Sequence, residues 1–242
     1  KKKKIINRLS VFYREYMCEI VGDEDQLFKL DDLKYYKGEL KHDAEKNAFL
    51  HLTEPQFKKI PVNVFTGVDP ASSTKQTADY SVIFNIAIDE EGNRYVLPYY
   101  RNRATPLNLA EAIVDNYKKY LSERTRIESV GYQEMLREYV IKRSEEEKIF
   151  IPGLNIKENP RNSKSRRLES LQPIFSRGKV HILDTMQDLK DELSLFPRGK
   201  HDDLLDGFFY ANKNAYEPYH KVVEAHSLKK TVINKAKDWL TA

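Results

Sequence analysis

Two spacings of apolar residues alternate along this chain. From Pro61 to Asp69, Val62, Val64, Phe65 and Val68 make a β-branched and aromatic run that halts at Asp69-Pro70, because proline cannot extend a strand ladder. Asp79 to Ile88 reads as a second strand, Asp89 to Asn93 as a hairpin turn, and Arg94 to Tyr100 as a third strand. The spacing then becomes helical: Leu107, Ala110, Ile113, Val114, Tyr117 and Leu121 share one face, opposite Glu111, Asp115, Lys118 and Lys119. A short strand at Arg126–Val130, a helix at Gln133–Lys142 and a brief strand at Ile149–Pro152 follow.

Beyond a polar loop at Asn155–Lys164, Ser163 or Ser165 can cap a helix over Arg166–Phe175, with Leu168, Leu171 and Phe175 inward. A strand element at Gly178–Leu183 and a helix over Met186–Phe196 lead to a last helix, Asp202-Asp203-Leu204-Leu205-Asp206-Gly207-Phe208-Phe209-Tyr210. Residues 1–60 show no clean long period and read as a lead-in with short elements. The tail, 213–242, holds one amphipathic piece from Val222 to Leu240. The architecture expected is α/β: a mixed five-stranded central sheet, three antiparallel strands then two parallel, flanked by helices.

Composition narrows the chemistry. The 242 residues contain 40% hydrophobic and 32% charged side chains and no apolar run long enough for a membrane span, which points to a cytoplasmic setting and no membrane partner. Cys18 is the only cysteine, so any metal must be held by oxygens, with a histidine at most. The net charge of +4 is concentrated: Lys157, Arg161, Lys164, Arg166, Arg167, Arg177 and Lys179 face only Glu158 and Glu169 in that stretch. Such a surface suits a polyanion. The start at Lys1–Lys4 without a methionine reads as a piece of a longer polypeptide.

Three acidic positions stand out: Asp69 ending the first core strand, Glu128 within an apolar strand, and the Asp202/Asp203/Asp206 group. Asp203 and Asp206, three apart, share a helix face, while Leu204, Leu205, Phe208 and Phe209 anchor the other. Each has a plain structural explanation alone: a turn before Pro70, a strand-end carboxylate, or an Asp202 or His201 N-cap in a helix dipole. Together they repel unless something positive lies among them. With first and fourth strands adjacent, Asp69 and Glu128 would lie side by side under the last helix. Hard oxygens of that kind suit two Mg²⁺ or Mn²⁺ ions, about 3.5–4 Å apart, acting on a phosphodiester.

The ordered set Gly67-Val68-Asp69-Pro70-Ala71, Asp79-Tyr80-Ser81, Ile127-Glu128-Ser129-Val130-Gly131-Tyr132-Gln133 and Gly199-Lys200-His201-Asp202-Asp203-Leu204-Leu205-Asp206 resembles the nuclease domain of the large terminase subunit of tailed bacteriophages. The resemblance covers about residues 61–212 and implies a ribonuclease H-like fold. It further implies a metal-dependent endonuclease that cuts concatemeric viral DNA during packaging, with little sequence specificity, in the host cytoplasm. By the same resemblance Asp69, Glu128 and Asp203 are the catalytic metal ligands, Asp202 competes with Asp203, and Asp206 and His201 are auxiliary. Arg161, Lys164, Arg166, Arg167 and Lys179 are expected to hold double-stranded DNA. The ATPase motifs of a terminase are absent, so an upstream ATPase domain, a portal and a small subunit are expected partners. A Holliday junction resolvase or a non-cutting docking module remains the alternative.

Overall fold

In the computed structural model, strand β6 (Ser81–Ile88) is buried at all eight positions, which is why it reads as a continuous apolar run and not as an alternation. The structure describes residues 26–71, 80–128, 133–154, 163–199 and 201–218. Lys1–Lys4, Cys18, Asp79, Ser129–Tyr132, Lys157, Arg161, Lys200 and the Val222–Leu240 piece lie outside these residues.

Around β6 a mixed seven-stranded sheet is built from β1 (Lys34–Tyr35), β5 (Asn63–Asp69), β7 (Arg94–Val96), β8 (Tyr100–Asn102), β9 (Arg124–Ile127) and β10 (Val180–Ile182). Its order is β1-β10-β7-β6-β5-β9, with β8 also on β6. The antiparallel trio β5, β6 and β7, and the parallel partner β9 beside β5, match the expected sheet. Pro98 divides the third strand into β7 and β8. A second sheet of β2 (Lys37–His42), β3 (Ala48–Glu54) and β4 (Lys58–Pro61) occupies the region read as lead-in.

The fifth expected strand is corrected. Ile149–Pro152 forms no strand: Ile151 is buried, Phe150 is 77% exposed, and the contact with β9 is the bond from Thr125 N–H to Pro152 O at 2.8 Å. Gly153, at φ +92°, turns the chain away before a ladder can develop. The additional strands lie on the opposite edge, where β10 pairs in parallel with β7 and β1 with β10.

Helices cover both faces, as a sheet buried on two sides requires. Helix α1 (Pro106–Tyr120), capped by Thr105, and α2 (Gln133–Glu146) pack with Val68, Ile83 and Ile127. On the other face are α3 (Lys164–Glu169), α4 (Gln172–Ser176), α5 (Gln187–Leu195) and α6 (Asp203–Asn212), around Phe65, Val82, Phe84 and Phe208. The single helix expected over Arg166–Phe175 is two, because Pro173 fits the first turn of a new helix. Ser163 caps α3 by accepting from Arg166 N–H.

Candidate active site

Strand parity puts the acids on one face. Gly67 is opposite Arg126 in the parallel pair β5–β9, so Gly67, Asp69, Arg126 and Glu128 point the same way, and Glu128 N–H donates to Val68 O at 3.1 Å. That face carries α6. A Cβ at Gly67 would meet Gly207 O at 2.1 Å and Ala211 N at 2.3 Å, and one at Gly207 would meet Phe84 Cβ and Val82 Cγ1 at 2.9 Å. Two glycines thus let the helix backbone lie directly on the sheet. Asp206 and Tyr210, four apart on α6, are thereby brought over the end of β5.

The electrostatics follow from burial. Asp69 is only 8% exposed; burial first, then the Asp206 charge and a hydrogen bond to Glu128, push its carboxyl well above the ordinary aspartate range. Burial also works on Glu128, but hydrogen bonds from Asp69 and Tyr210 and the Arg167 charge outweigh it and hold this carboxyl low. The two carboxyls are thus displaced in opposite directions. Asp206, 2% exposed, is raised by burial in spite of Lys164 and Arg167 beside it.

The opposing charges come from α3. Lys164 Nζ lies 2.6 Å from both Asp202 Oδ1 and Asp206 Oδ2. Burial disfavours its ammonium, but Asp206 and Asp202 more than offset this and raise it. Arg167 donates from Nη1 to Glu128 Oε1 at 3.1 Å and to the Tyr210 oxygen, and its Nη2 is 3.6 Å from Asp206 Oδ1. Tyr210, 1% exposed, donates to Glu128 Oε1 at 2.7 Å.

Asp203, expected as the helix ligand, is buried on a separate flank. Its Oδ2 is 3.9 Å from Arg101 Nη2 and 3.7 Å from His201 Nδ1. Arg101 also pairs with Glu192 Oε1 at 2.8 Å, and Glu192 Oε2 accepts the Leu204 N–H at 2.9 Å. Asp202 does occupy the N-cap position without a side-chain cap bond; the cap is supplied by Glu192 from α5. Burial, with Asp203 adding to it and Arg101 opposing, pushes Glu192 up to about 8.

Of the expected phosphate-binding residues, Lys164 and Arg167 are turned into the acid cluster and Arg166 is exposed. Lys179 Nζ donates to Glu91 O at 2.9 Å, at the turn following Ile88. Because Ile88 is opposite Asn63 and Val82 opposite Asp69, that turn is about 20 Å from Asp69 along the strand. Tyr210, Glu192 and Arg101 were not singled out in the sequence. Only Tyr210 carried a signal, its spacing of four from Asp206.

Among the described residues no three His, Cys, Asp or Glu side chains are arranged to hold a metal ion as they stand. The donor chemistry nevertheless fits a hard divalent cation: the acids offer oxygens only, and Asp206 Oδ1 is buried without a hydrogen-bond donor. Among the described residues no helix is long and apolar enough to cross a membrane.

Comparison with known proteins places this geometry. No curated protein sequence matches the chain. Among solved structures, the large terminase nuclease of thermophilic phage G20c with bound magnesium superposes with a TM-score of 0.55 at 18% identity, covering 80% of this chain and 99% of that one. The same nuclease with bound cobalt gives 0.55 and 18%, with the same coverage. The P22 large terminase nuclease domain gives 0.52 at 15% identity, covering 76% of this chain and 89% of that one. These likenesses establish the ribonuclease H-like fold. The family model described as the terminase RNaseH-like domain matches residues 66–215, more than half of the chain and all of the acid site, and the chain belongs to that family.

Proposed function

We propose that this domain is a divalent-metal-dependent endodeoxyribonuclease that cuts concatemeric viral DNA during genome packaging. The observation that carries the reading is geometric: buried Asp69 and Asp206 meet Glu128 at the ends of β5 and β9, with Lys164 and Arg167 set among the carboxylates. Two Mg²⁺ or Mn²⁺ ions held there would supply Lewis acidity and an activated water for phosphodiester hydrolysis. The solved G20c relatives with magnesium and cobalt support that choice.

Within the proposal, Asp69 and Glu128 are the sheet ligands and the first turn of α6 supplies the rest. Geometry favours Asp206 as the neighbour of Asp69; Asp203 and His201 line the Arg101 flank, and Asp202 shares Lys164 with Asp206. Asp202 and Asp206, which share Lys164, would be available to hold a divalent cation, and the Lys164 ammonium would then be available to a DNA phosphate. Exposed Arg166 extends that contact, which is sequence-independent and fits cutting with little specificity. Lys179 is too distant to be more than a weaker member of the DNA surface, and Arg161, outside the described residues, is proposed to belong to it. An upstream ATPase domain, portal and small terminase subunit are proposed partners, in the host cytoplasm.

Cleavage of linear, supercoiled and four-way-junction DNA with Mn²⁺, Mg²⁺ or EDTA tests the reading. Metal-dependent cutting of linear and supercoiled DNA is expected. Cutting confined to the junction would make the chain a resolvase; a folded chain that neither binds metal nor cuts would make it a docking module.

A further inference from the structure

We infer that Tyr210, together with Arg167, is a positioning residue for Glu128, setting which carboxylate oxygen is presented to metal. The inference rests on the nuclease reading above and names a residue that reading does not require. Glu128 sits just past the end of β9, where a strand-end side chain has rotational freedom unless something fixes it. Besides the hydrogen bond it shares with Asp69, two donors from the helices hold it here. Tyr210 O–H donates to Oε1 at 2.7 Å and Arg167 Nη1 to the same Oε1 at 3.1 Å. Arg167 also donates to the Tyr210 oxygen, so the phenol gives its one proton to Glu128 and takes one from the guanidinium.

The three groups close a triangle that occupies one oxygen of Glu128 and leaves Oε2 outside it. The triangle is itself anchored: Tyr210 is 1% exposed and projects from α6, whose backbone is pressed onto β5 at Gly67, and Arg167 is buried on α3 with its second nitrogen toward Asp206. Partners of ligating carboxylates set their orientation and strength. Tyr210 thereby couples the seating of α6, which carries Asp206, to the orientation of Glu128 on the sheet.

The test uses the 242-residue chain, with Tyr210→Phe removing only the hydroxyl and Arg167→Lys keeping the charge but losing the planar fork. Mn²⁺ affinity is measured by calorimetry, and kcat and KM for plasmid nicking at saturating Mn²⁺. Loss of about 10- to 100-fold in Mn²⁺ affinity or kcat is expected for Tyr210→Phe, with KM for DNA unchanged. Arg167→Lys should move Mn²⁺ affinity in the same direction, which keeps the proposal testable if the phenylalanine variant folds poorly. Parental Mn²⁺ affinity and kcat in both folded variants would overturn the inference while leaving the nuclease reading intact. A parent chain that neither binds Mn²⁺ nor cuts would overturn both.

Discussion

Asp69 and Glu128 share a hydrogen bond across the parallel pair β5–β9, and their carboxyls are displaced in opposite directions: Asp69 is raised by burial and its acidic neighbours, Glu128 held low by its donors. The two carboxyls therefore respond to pH in opposite senses.

That relationship fixes the sign of two pH dependences. An unfolded aspartate has a pKa of about 3.9, and Asp69 is higher in the fold, so its contribution to stability is fully present below about pH 4 and is lost as pH rises through its folded pKa. Asp69→Asn escapes this loss. In EDTA the variant should gain on the parent between pH 4 and pH 8 and have the higher melting temperature at pH 8. A lower melting temperature at pH 8 contradicts the assignment.

Glu128 behaves in the opposite sense. Its folded pKa lies below the unfolded value of about 4.3, so its contribution is present above that pH and is lost as pH falls through the folded pKa. Glu128→Gln should lower the melting temperature at pH 7, with the deficit closing below about pH 4. A deficit independent of pH would assign the effect to packing.

Lys164 joins Asp202 to the buried Asp206, and removing it leaves a carboxylate without its closest cation. Lys164→Gln should destabilise the EDTA-treated chain by about 1–3 kcal/mol, the range for an unsatisfied buried group, since the half-exposed lysine is partly screened. Added Mn²⁺ should restore most of that loss. A metal-independent deficit would show that lysine and cation do not compete.

Close approach of α6 is the basis of the site, and Gly67 faces backbone atoms that cannot give way, whereas Gly207 faces side-chain atoms of Phe84 and Val82. Gly67→Ala should therefore cost more than Gly207→Ala, with the latter near the 1–3 kcal/mol typical of overpacking. Urea denaturation of both variants checks the order; equal costs would contradict the packing described.

Arg166 is exposed beside the cluster and Lys179 is at the far end of the sheet. Arg166→Ala should flatten the dependence of log K on log salt by about 0.9 for one lost phosphate contact, and Lys179→Ala should leave it unchanged. Fluorescence anisotropy across a salt series separates them. An unchanged slope for Arg166→Ala would make it an ordinary solvated residue.

How much of this was legible before the structure depends on how local each signal is. β5, β6 and α1 were legible because an apolar run ended by Pro70 and a helical spacing from Leu107 are local patterns. The central order of β5, β6, β7 and β9 was borne out, since hairpin turns and a helical crossover leave few alternatives. The pairing of β10 and β1 was not legible, because both are short and join residues far apart in sequence. Neither was the β2–β4 sheet, whose half-exposed strands lack a strong apolar pattern.

At the site, Asp69 and Glu128 stood out because each interrupts or ends an apolar strand. Which acid of α6 turns toward them depends on the seating of the helix on Gly67, a contact between residues 140 apart. The roles of Arg167, Tyr210 and Glu192 depend on the same long-range packing. The basic stretch was visible as charge, but only the fold shows that Lys164 and Arg167 face carboxylates and Arg166 faces solvent.

The most direct test of the account is nicking of supercoiled plasmid by the parent, Asp69→Asn, Asp206→Asn and Asp203→Asn in Mn²⁺, with EDTA as control. The account predicts cutting by the parent that EDTA abolishes, no cutting by Asp69→Asn, and a larger loss for Asp206→Asn than for Asp203→Asn. Parental rates in folded Asp69→Asn would contradict it, because the acid pair on β5 and β9 would then have no part in the chemistry.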